Sequence, residues 1–218
     1  MYIPPPKAVQ SGSSMKARYQ FNNIKNVREK INKDSKLMAI IKADGYGHGA
    51  VAAYKVIDEL VDAYGVAIVE EAIELRKAGT KKDILILGVT NRAQYSKLLE
   101  YDVTQTIFSF EDACVLNDIA KVANKKAKIH IKIDTGMGRI GFKDDDSSLI
   151  EIEKILRLDN IDVQGIFTHF ANADEKSKFR VNQQFDKFMN FLGKLERMGI
   201  NIPHCAPRYP SSFHYAKC

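Results

Sequence analysis

The sequence of 218 residues lacks the features of a membrane-inserted or exported chain. No segment approaches the run of about 18 apolar residues that a transmembrane helix requires. The first residues, Met1–Lys7, contain three prolines and no apolar stretch of the kind found in secretory signals. We therefore expect a cytoplasmic protein with no membrane partner.

Cysteine is also scarce. The three cysteines, Cys114, Cys205 and Cys218, are far apart and odd in number. Disulfide scaffolds and structural metal sites instead bring cysteines together at regular spacings. The pattern argues against a disulfide framework and a metal knuckle, and it predicts reduced thiols and no bound metal.

Acidic residues are few at the start of the chain, where residues 1–36 hold eight lysines or arginines and two acids. This segment accounts for the whole net charge of +6. A basic arm can attract nucleic acid, but aromatic residues do not alternate with these cations as they do on base-stacking surfaces. We expect a solvated helix face after an irregular tail, and no nucleic-acid partner.

Strand-like and helix-like segments alternate along most of the chain, which is long enough for one sizeable domain or two small ones. Residues 1–20 are rich in proline and serine and lack periodicity, which predicts an irregular tail. Helical spacing of apolar residues begins at Phe21, and six or seven strands can be counted after it. Regular β-then-α repetition indicates parallel strands with right-handed crossovers.

Two α/β folds share this repeat, the (β/α)8 TIM-type barrel and the doubly wound open sheet. Polar signatures follow several different strands, at Lys42, Lys132 and Thr168-His169. A ring of strand C-termini brings such residues together. We therefore predict a (β/α)8 TIM-type barrel that is incomplete, with six to seven strands.

The segment with the most specific chemistry begins at Lys42. The apolar run Leu37–Ile41 leads into Lys42-Ala43-Asp44-Gly45-Tyr46-Gly47-His48-Gly49. A desolvated lysine amine is a Schiff-base nucleophile, and glycines in a turn before a helix let the backbone approach a phosphate. Lysine, tyrosine and glycines together suggest pyridoxal phosphate. The structural alternative is a lysine at a strand end whose ammonium stays in solvent.

A second segment, Lys132–Phe142, follows the apolar residues Ile129–Ile131 directly. Two glycines bend the chain at a strand exit, and Arg139 is then presented beside the site. The planar fork of arginine suits a carboxylate or a pyridine nitrogen. A lysine at position 132 that faces the barrel interior needs an anionic partner or a chemical modification. The alternative is an ordinary turn capped by Asp134.

The third segment, Gly165–Glu175, contains His169 at the end of a strand. An imidazole there can stack on the ring of a cofactor or exchange protons near neutral pH. A structural histidine is the alternative, and the residues alone leave both open.

Together the three segments resemble one family, the bacterial alanine racemases, in motif, order and spacing. The resemblance rests on Lys42–Gly49, Lys132–Phe142 and Thr168–Glu175, and it extends from about Asn22 to Cys205. The family implies a barrel that binds pyridoxal phosphate and a homodimer. It also implies interconversion of L-alanine and D-alanine, which supplies D-alanine for peptidoglycan.

The resemblance implies a role for each matching residue. Lys42 would carry the cofactor covalently and act as the base on the D-alanine face, and Tyr46 would contact the cofactor phosphate. Lys132 would match a carbamylated lysine, whose negative charge lies against Arg139. Arg139 would orient the substrate carboxylate and the phenolic oxygen of the cofactor, and His169 would lie near the pyridine ring.

The sequence departs from the family pattern at both ends. Residues 1–20 stand where the family has a strand, and His204–Arg208 reads His-Cys-Ala-Pro-Arg where the family has His-x-x-Asn-Ser. Residues 207–218 resemble nothing in the family. Its eighth strand and its C-terminal β domain, which brings a tyrosine as second base, have no counterpart. We therefore expect the barrel domain over residues 21–206 and no C-terminal domain.

Three alternatives remain open at this point. They are a racemase for serine or another small amino acid, a non-catalytic barrel that binds pyridoxal phosphate, and an inactive fragment of an alanine racemase. The segment around Arg139 favours a racemase, because a lysine–arginine arrangement serves a substrate carboxylate.

Overall fold

The computed structural model describes residues 15–171 and 176–208. Its helices are α1 (Met15–Lys30), α2 (Ala50–Ile57), α3 (Val69–Ala78), α4 (Tyr95–Glu100), α5 (Phe110–Val122), α6 (Asp146–Leu156) and α7 (Phe179–Arg197). Its strands are β1 (Met38–Ile40), β2 (Ala63–Val66), β3 (Asp83–Ile86), β4 (Thr104–Ile107), β5 (Ala127–Asp134), β6 (Phe142–Lys143), β7 (Ile161–His169) and β8 (His204–Arg208).

The strands form one parallel sheet in the order β1-β2-β3-β4-β5-β7-β8, with the short β6 paired to β5. Along this path each strand pairs with the next one in the chain, whereas a doubly wound sheet reverses its order. The sequential order is that of a (β/α)8 barrel. The prediction of an incomplete barrel with six to seven strands is confirmed.

Both ends of the described chain differ from the predicted boundaries. Helix α1 begins at Met15, before the predicted start at Phe21, because residues 15–20 are mostly strong helix formers that lacked an apolar period. Strand β8 runs to Arg208, past residue 206. It includes Pro207, which a strand at the edge of a sheet tolerates. The rest of both predicted tails, residues 1–14 and 209–218, lies outside the described residues.

Two apolar layers line the two faces of the sheet. The outer layer lies between the strands and the helices, and the three isoleucines of β5 are fully buried in it. Each such side chain contributes about 1.5–3 kcal/mol when it is fully buried. The inner layer, called here the inner cluster, consists of Met38, Ala63, Leu85, Leu87 and Phe167.

The inner cluster shows that the sheet curves as a barrel wall does. Its members from β1, β2, β3 and the residue just after β3 contact Phe167 of β7. Strand β7 pairs with none of these three strands. At the opposite edge of the same curve, Nζ of Lys36 lies 3.3 Å from Nε2 of His204. Strands β1 and β8 thus approach each other, although no pairing between them occurs in the described ranges.

The cysteines only partly follow the prediction of reduced thiols. Cys114 is a free thiol, whereas Cys205 is disulfide-bonded, so the prediction was wrong for Cys205. Among the described helices, none is long and apolar enough to cross a membrane. The part of the chain that the structure describes contains no group of three or more His, Cys, Asp or Glu side chains that could hold a metal ion.

Candidate active site

The three distinctive segments lie at the C-terminal ends of β1, β5 and β7, which share one edge of the curved parallel sheet. We call this edge, with Lys42, Lys132 and His169, the C-terminal rim. Side chains alternate between the faces of a strand. Met38 and Phe167 of the inner cluster face the interior. Met38 lies four positions before Lys42 and Phe167 two before His169, so alternation directs Lys42 and His169 to the same interior face. The barrel thus gathers onto one rim residues that are far apart in the sequence.

Lys42 opens a short turn of left-handed helix, Lys42–Gly47. Ala43 has φ 50° and ψ 53°, and Tyr46 has φ 56° and ψ 40°. Such a backbone costs roughly 1–2 kcal/mol for each residue that is not glycine. The turn leaves Lys42 half-buried, with its ammonium 6.0 Å from the centre of the Tyr46 ring. Lysine and tyrosine, four positions apart in the motif, are therefore also close in space.

Lys132 points into the barrel, as expected if it carries chemistry. Its side chain is 2% exposed, and its ammonium lies 5.9 Å from the centre of the Phe167 ring. A buried ammonium is costly unless a negative charge compensates it. This position therefore suits a lysine that is modified or paired with an anion.

Asp134 organises the loop that presents Arg139. One carboxylate oxygen accepts the backbone N–H groups of residues 136, 137 and 138 at 2.9, 2.8 and 3.1 Å, and the other accepts that of Arg139 at 2.9 Å. Partial burial alone would raise the pKa of Asp134, but these four donors outweigh it and lower the pKa. The sequence left a turn capped by Asp134 and a loop that presents Arg139 as alternatives. In the structure they are the same loop.

Arg139 itself is exposed. Within the described ranges its guanidinium makes no ion pair, and its contact with a carbamylated Lys132 stays a prediction. The loop holds the backbone of Arg139 and leaves its side chain available to a ligand.

A buried amide, Gln184 of α7, ties together the ends of β5 and β7. Its oxygen accepts the backbone N–H of Ala171 at 2.9 Å, and its nitrogen donates to the carbonyl of His169 at 3.2 Å and to Oγ1 of Thr135 at 3.4 Å. The hydroxyls of Thr135 and Thr168 also lie 2.8 Å apart. Sequence reasoning missed Gln184, although it is a single polar residue on the buried face of α7.

The rim combines cations with carboxylates that already accept backbone N–H groups. Three carboxylates at these strand ends accept backbone N–H groups, namely Asp44, Glu71 and Asp134. The cations at the same end are Lys42, Lys132 and Arg139. An amine, an exposed guanidinium and an imidazole form a donor set for an anionic ligand with an aldehyde, so pyridoxal phosphate fits these residues.

A parallel barrel with polar side chains at the C-terminal ends of its strands defines the class of (β/α) barrel proteins. Within that class, the chain belongs to the family described as alanine racemase, N-terminal domain, whose profile matches residues 20–208. The alanine racemase of Methanococcus maripaludis is 45% identical over 183 residues, which are 84% of this chain and 49% of that protein. That of Desulforamulus reducens is 45% identical over 188 residues, 85% of this chain and 51% of the relative. The chain thus spans about half the length of the curated relatives it matches.

Solved structures agree with this assignment. The alanine racemase of Clostridium difficile 630, in complex with cycloserine, superposes with a TM-score of 0.84 at 39% identity, over 89% of this chain and 53% of that one. The alanine racemase of Bacillus anthracis with bound L-Ala-P has a TM-score of 0.83 at 29% identity, over 89% and 50%. The barrel and the family inferred from three sequence segments are therefore confirmed.

Proposed function

We propose that this chain is the cofactor-bearing barrel of an alanine racemase that depends on pyridoxal phosphate. The observation that carries the proposal is the arrangement of Lys42, Lys132 and His169 on one interior rim, beside the ordered loop of Arg139. The relatives named alanine racemase support the substrate.

In this proposal each rim residue has one task. When bound, pyridoxal phosphate supplies an electron sink for the charge left by the departing α-proton. Lys42 would hold the cofactor through its Nζ until the substrate amine takes that place, and its freed amine would then exchange the α-proton on the D-alanine face. Tyr46, whose ring centre lies 6.0 Å from that amine, would bind the phosphate, and His169 would pack on the pyridine ring. Arg139 binds the substrate carboxylate.

The burial of Lys132 supports carbamylation of its amine. Addition of carbon dioxide to the neutral amine, with loss of a proton, would replace the buried cation by a carbamate anion, which could then attract the exposed Arg139 guanidinium. Arg139 thereby becomes orientated for a carboxylate ligand. This arrangement favours a racemase over a barrel that merely stores the cofactor, because storage requires no carboxylate-binding arginine.

The remaining parts of the proposal rest on the resemblance to the family. They are a homodimer in the cytoplasm, a second proton-transfer group for the other face of the substrate, and D-alanine for peptidoglycan as the product.

Absorption spectroscopy with added pyridoxal phosphate tests the proposal. We expect a visible band from protein-bound cofactor, and borohydride reduction should fix the label on the peptide that contains Lys42. Lys42→Ala should abolish both signals. Lys36→Ala, at the other end of β1, is the matched control and should leave them unchanged. A band that survives Lys42→Ala would contradict the assignment.

Proton exchange separates catalysis from storage. In D2O with pyridoxal phosphate, we expect Lys42 to exchange the α-proton of D-alanine for deuterium, and nuclear magnetic resonance measures the rate of this exchange. We expect Arg139→Ala to slow the exchange more than it weakens cofactor binding. Cofactor bound at Lys42 without exchange would instead favour the storage function. Exchange of serine at an equal rate would favour a racemase of broader specificity.

A further inference from the structure

Glu71, near the start of α3, joins the exits of two strands. One carboxylate oxygen accepts the backbone N–H of Ala43, the residue after Lys42, at 2.6 Å. The other accepts the N–H of Ala67, just beyond β2, at 2.6 Å and that of Ile68 at 3.4 Å. Both short bonds are charge-assisted, which makes them stronger than ordinary backbone hydrogen bonds.

Helix capping explains only part of this arrangement. Glu71 occupies the third position of α3, where a glutamate commonly accepts the N–H of the residue that precedes the helix. That capping bond, to Ile68, is the longest of the three. The bond to Ala43 reaches a residue 28 positions away, in a different strand exit. Capping of α3 does not require it.

The bond to Ala43 fixes the most strained part of the rim. Ala43 has φ 50°, and Asp44 and Tyr46 follow with φ 49° and 56°. Left-handed backbone in these residues is unfavourable and persists only where the surroundings over-determine it. At the far end of the turn, the side chain of Asp44 accepts the N–H of Ala50 at 2.7 Å. Glu71 is the corresponding restraint at the Lys42 end.

We propose that Glu71 is a positioning residue for Lys42: by holding the Ala43 N–H, it sets the place from which the Lys42 amine reaches the cofactor. The inference rests on the proposed function of Lys42. It adds a residue of α3 to the machinery of the rim, one that acts through the backbone and touches neither cofactor nor substrate.

The geometry requires a carboxylate at position 71. Both carboxylate oxygens of Glu71 accept backbone N–H groups, so the side chain needs an acceptor atom at both positions. Glutamine has the same shape, but one side of its amide is a donor. Glu71→Gln must therefore lose the bond to Ala43 or the bond to Ala67. The adjacent Glu70 is exposed and accepts from the side chain of Gln94, so Glu70→Gln is a matched control on the same helix.

The experiment measures cofactor affinity and the site of borohydride labelling in the full chain, with amide resonances of the cofactor-free protein as a direct readout. We expect Glu71→Gln to shift the Ala43 or Ala67 amide and to weaken pyridoxal phosphate binding about tenfold, the effect of one lost charge-assisted bond. Labelling should spread from Lys42 to other lysines. Glu70→Gln should behave as the parent.

A second variant separates positioning from general support of α3. Glycine adopts left-handed backbone freely, so Ala43→Gly should restore much of the lost affinity when it is added to Glu71→Gln. If Glu71 only caps α3, this rescue fails and the inference is overturned. Unchanged affinity and labelling in Glu71→Gln would also overturn it. If the parent itself does not bind the cofactor at Lys42, the proposed function fails instead, and the amide shifts still report whether Glu71 holds Ala43.

Discussion

His130 makes the stability of this fold sensitive to acid. It lies on the interior face of β5 with 6% of its surface exposed, 6.4 Å from the Phe167 ring centre. Burial, and then the charge of nearby His204, lower the pKa of His130 from 6.5 to about 3. The folded protein therefore excludes a proton that the unfolded chain accepts.

The magnitude follows from the two pKa values. Above pH 6.5 both states hold His130 neutral, and stability is unaffected. As the pH falls through that value, only the unfolded chain binds the proton, so the free energy of unfolding decreases by up to about 1.4 kcal/mol per pH unit. The loss is about 2 kcal/mol between roughly pH 7 and pH 5, and it continues towards the folded pKa.

Urea unfolding of the parent and of His130→Gln at these two pH values tests this result. Lys36, Asp62, Asp83 and His204, which line a cavity with His130, are present in both proteins. We expect the parent to lose about 2 kcal/mol more than the variant. His48→Gln, which removes an exposed histidine, should follow the parent. Parallel losses in the parent and His130→Gln would refute the reasoning.

Three further predictions concern packing and the rim. Gly165→Ala should destabilise the fold by about 1–3 kcal/mol, because its new Cβ would lie 2.6 Å from the His130 ring. Urea unfolding measures this cost, and most of it should vanish when His130→Ala is also present. Gln184→Glu cannot donate to the His169 carbonyl and should cost about 1–3 kcal/mol by the same assay, whereas the exposed neighbour Gln183→Glu should be neutral. Asp134→Asn should reduce stability above about pH 4, with the difference from the parent lost in stronger acid, because the lowered pKa of Asp134 makes its anion the stabilising form.

The fold and the identity of the rim residues could be read from the sequence to a large extent. Alternation of apolar runs and amphipathic segments predicted the parallel barrel, because both periods are local properties of the chain. The strand-end positions of Lys42, Lys132 and His169 followed from the same pattern. The start of α1 was missed, since residues 15–20 carry helix propensity without the apolar period on which the prediction relied.

Other features depended on contacts between distant segments. The Asp134 carboxylate, read only as a candidate turn cap, holds the whole loop up to Arg139. The left-handed turn at Ala43 could not be inferred, because alanine and tyrosine have no preference for that backbone. Its restraint by Glu71 spans 28 residues.

The sequence by itself determined the family, the barrel class and the candidate residues for the chemistry, because motifs and periodicity are local properties of neighbouring positions. Only the tertiary structure decided which groups support them. Glu71 and Gln184 became partners of the rim because parallel strands bring their ends to one edge. His130 lost its ordinary pKa because curvature of the sheet closes the interior around it, and burial depends on every strand of the wall.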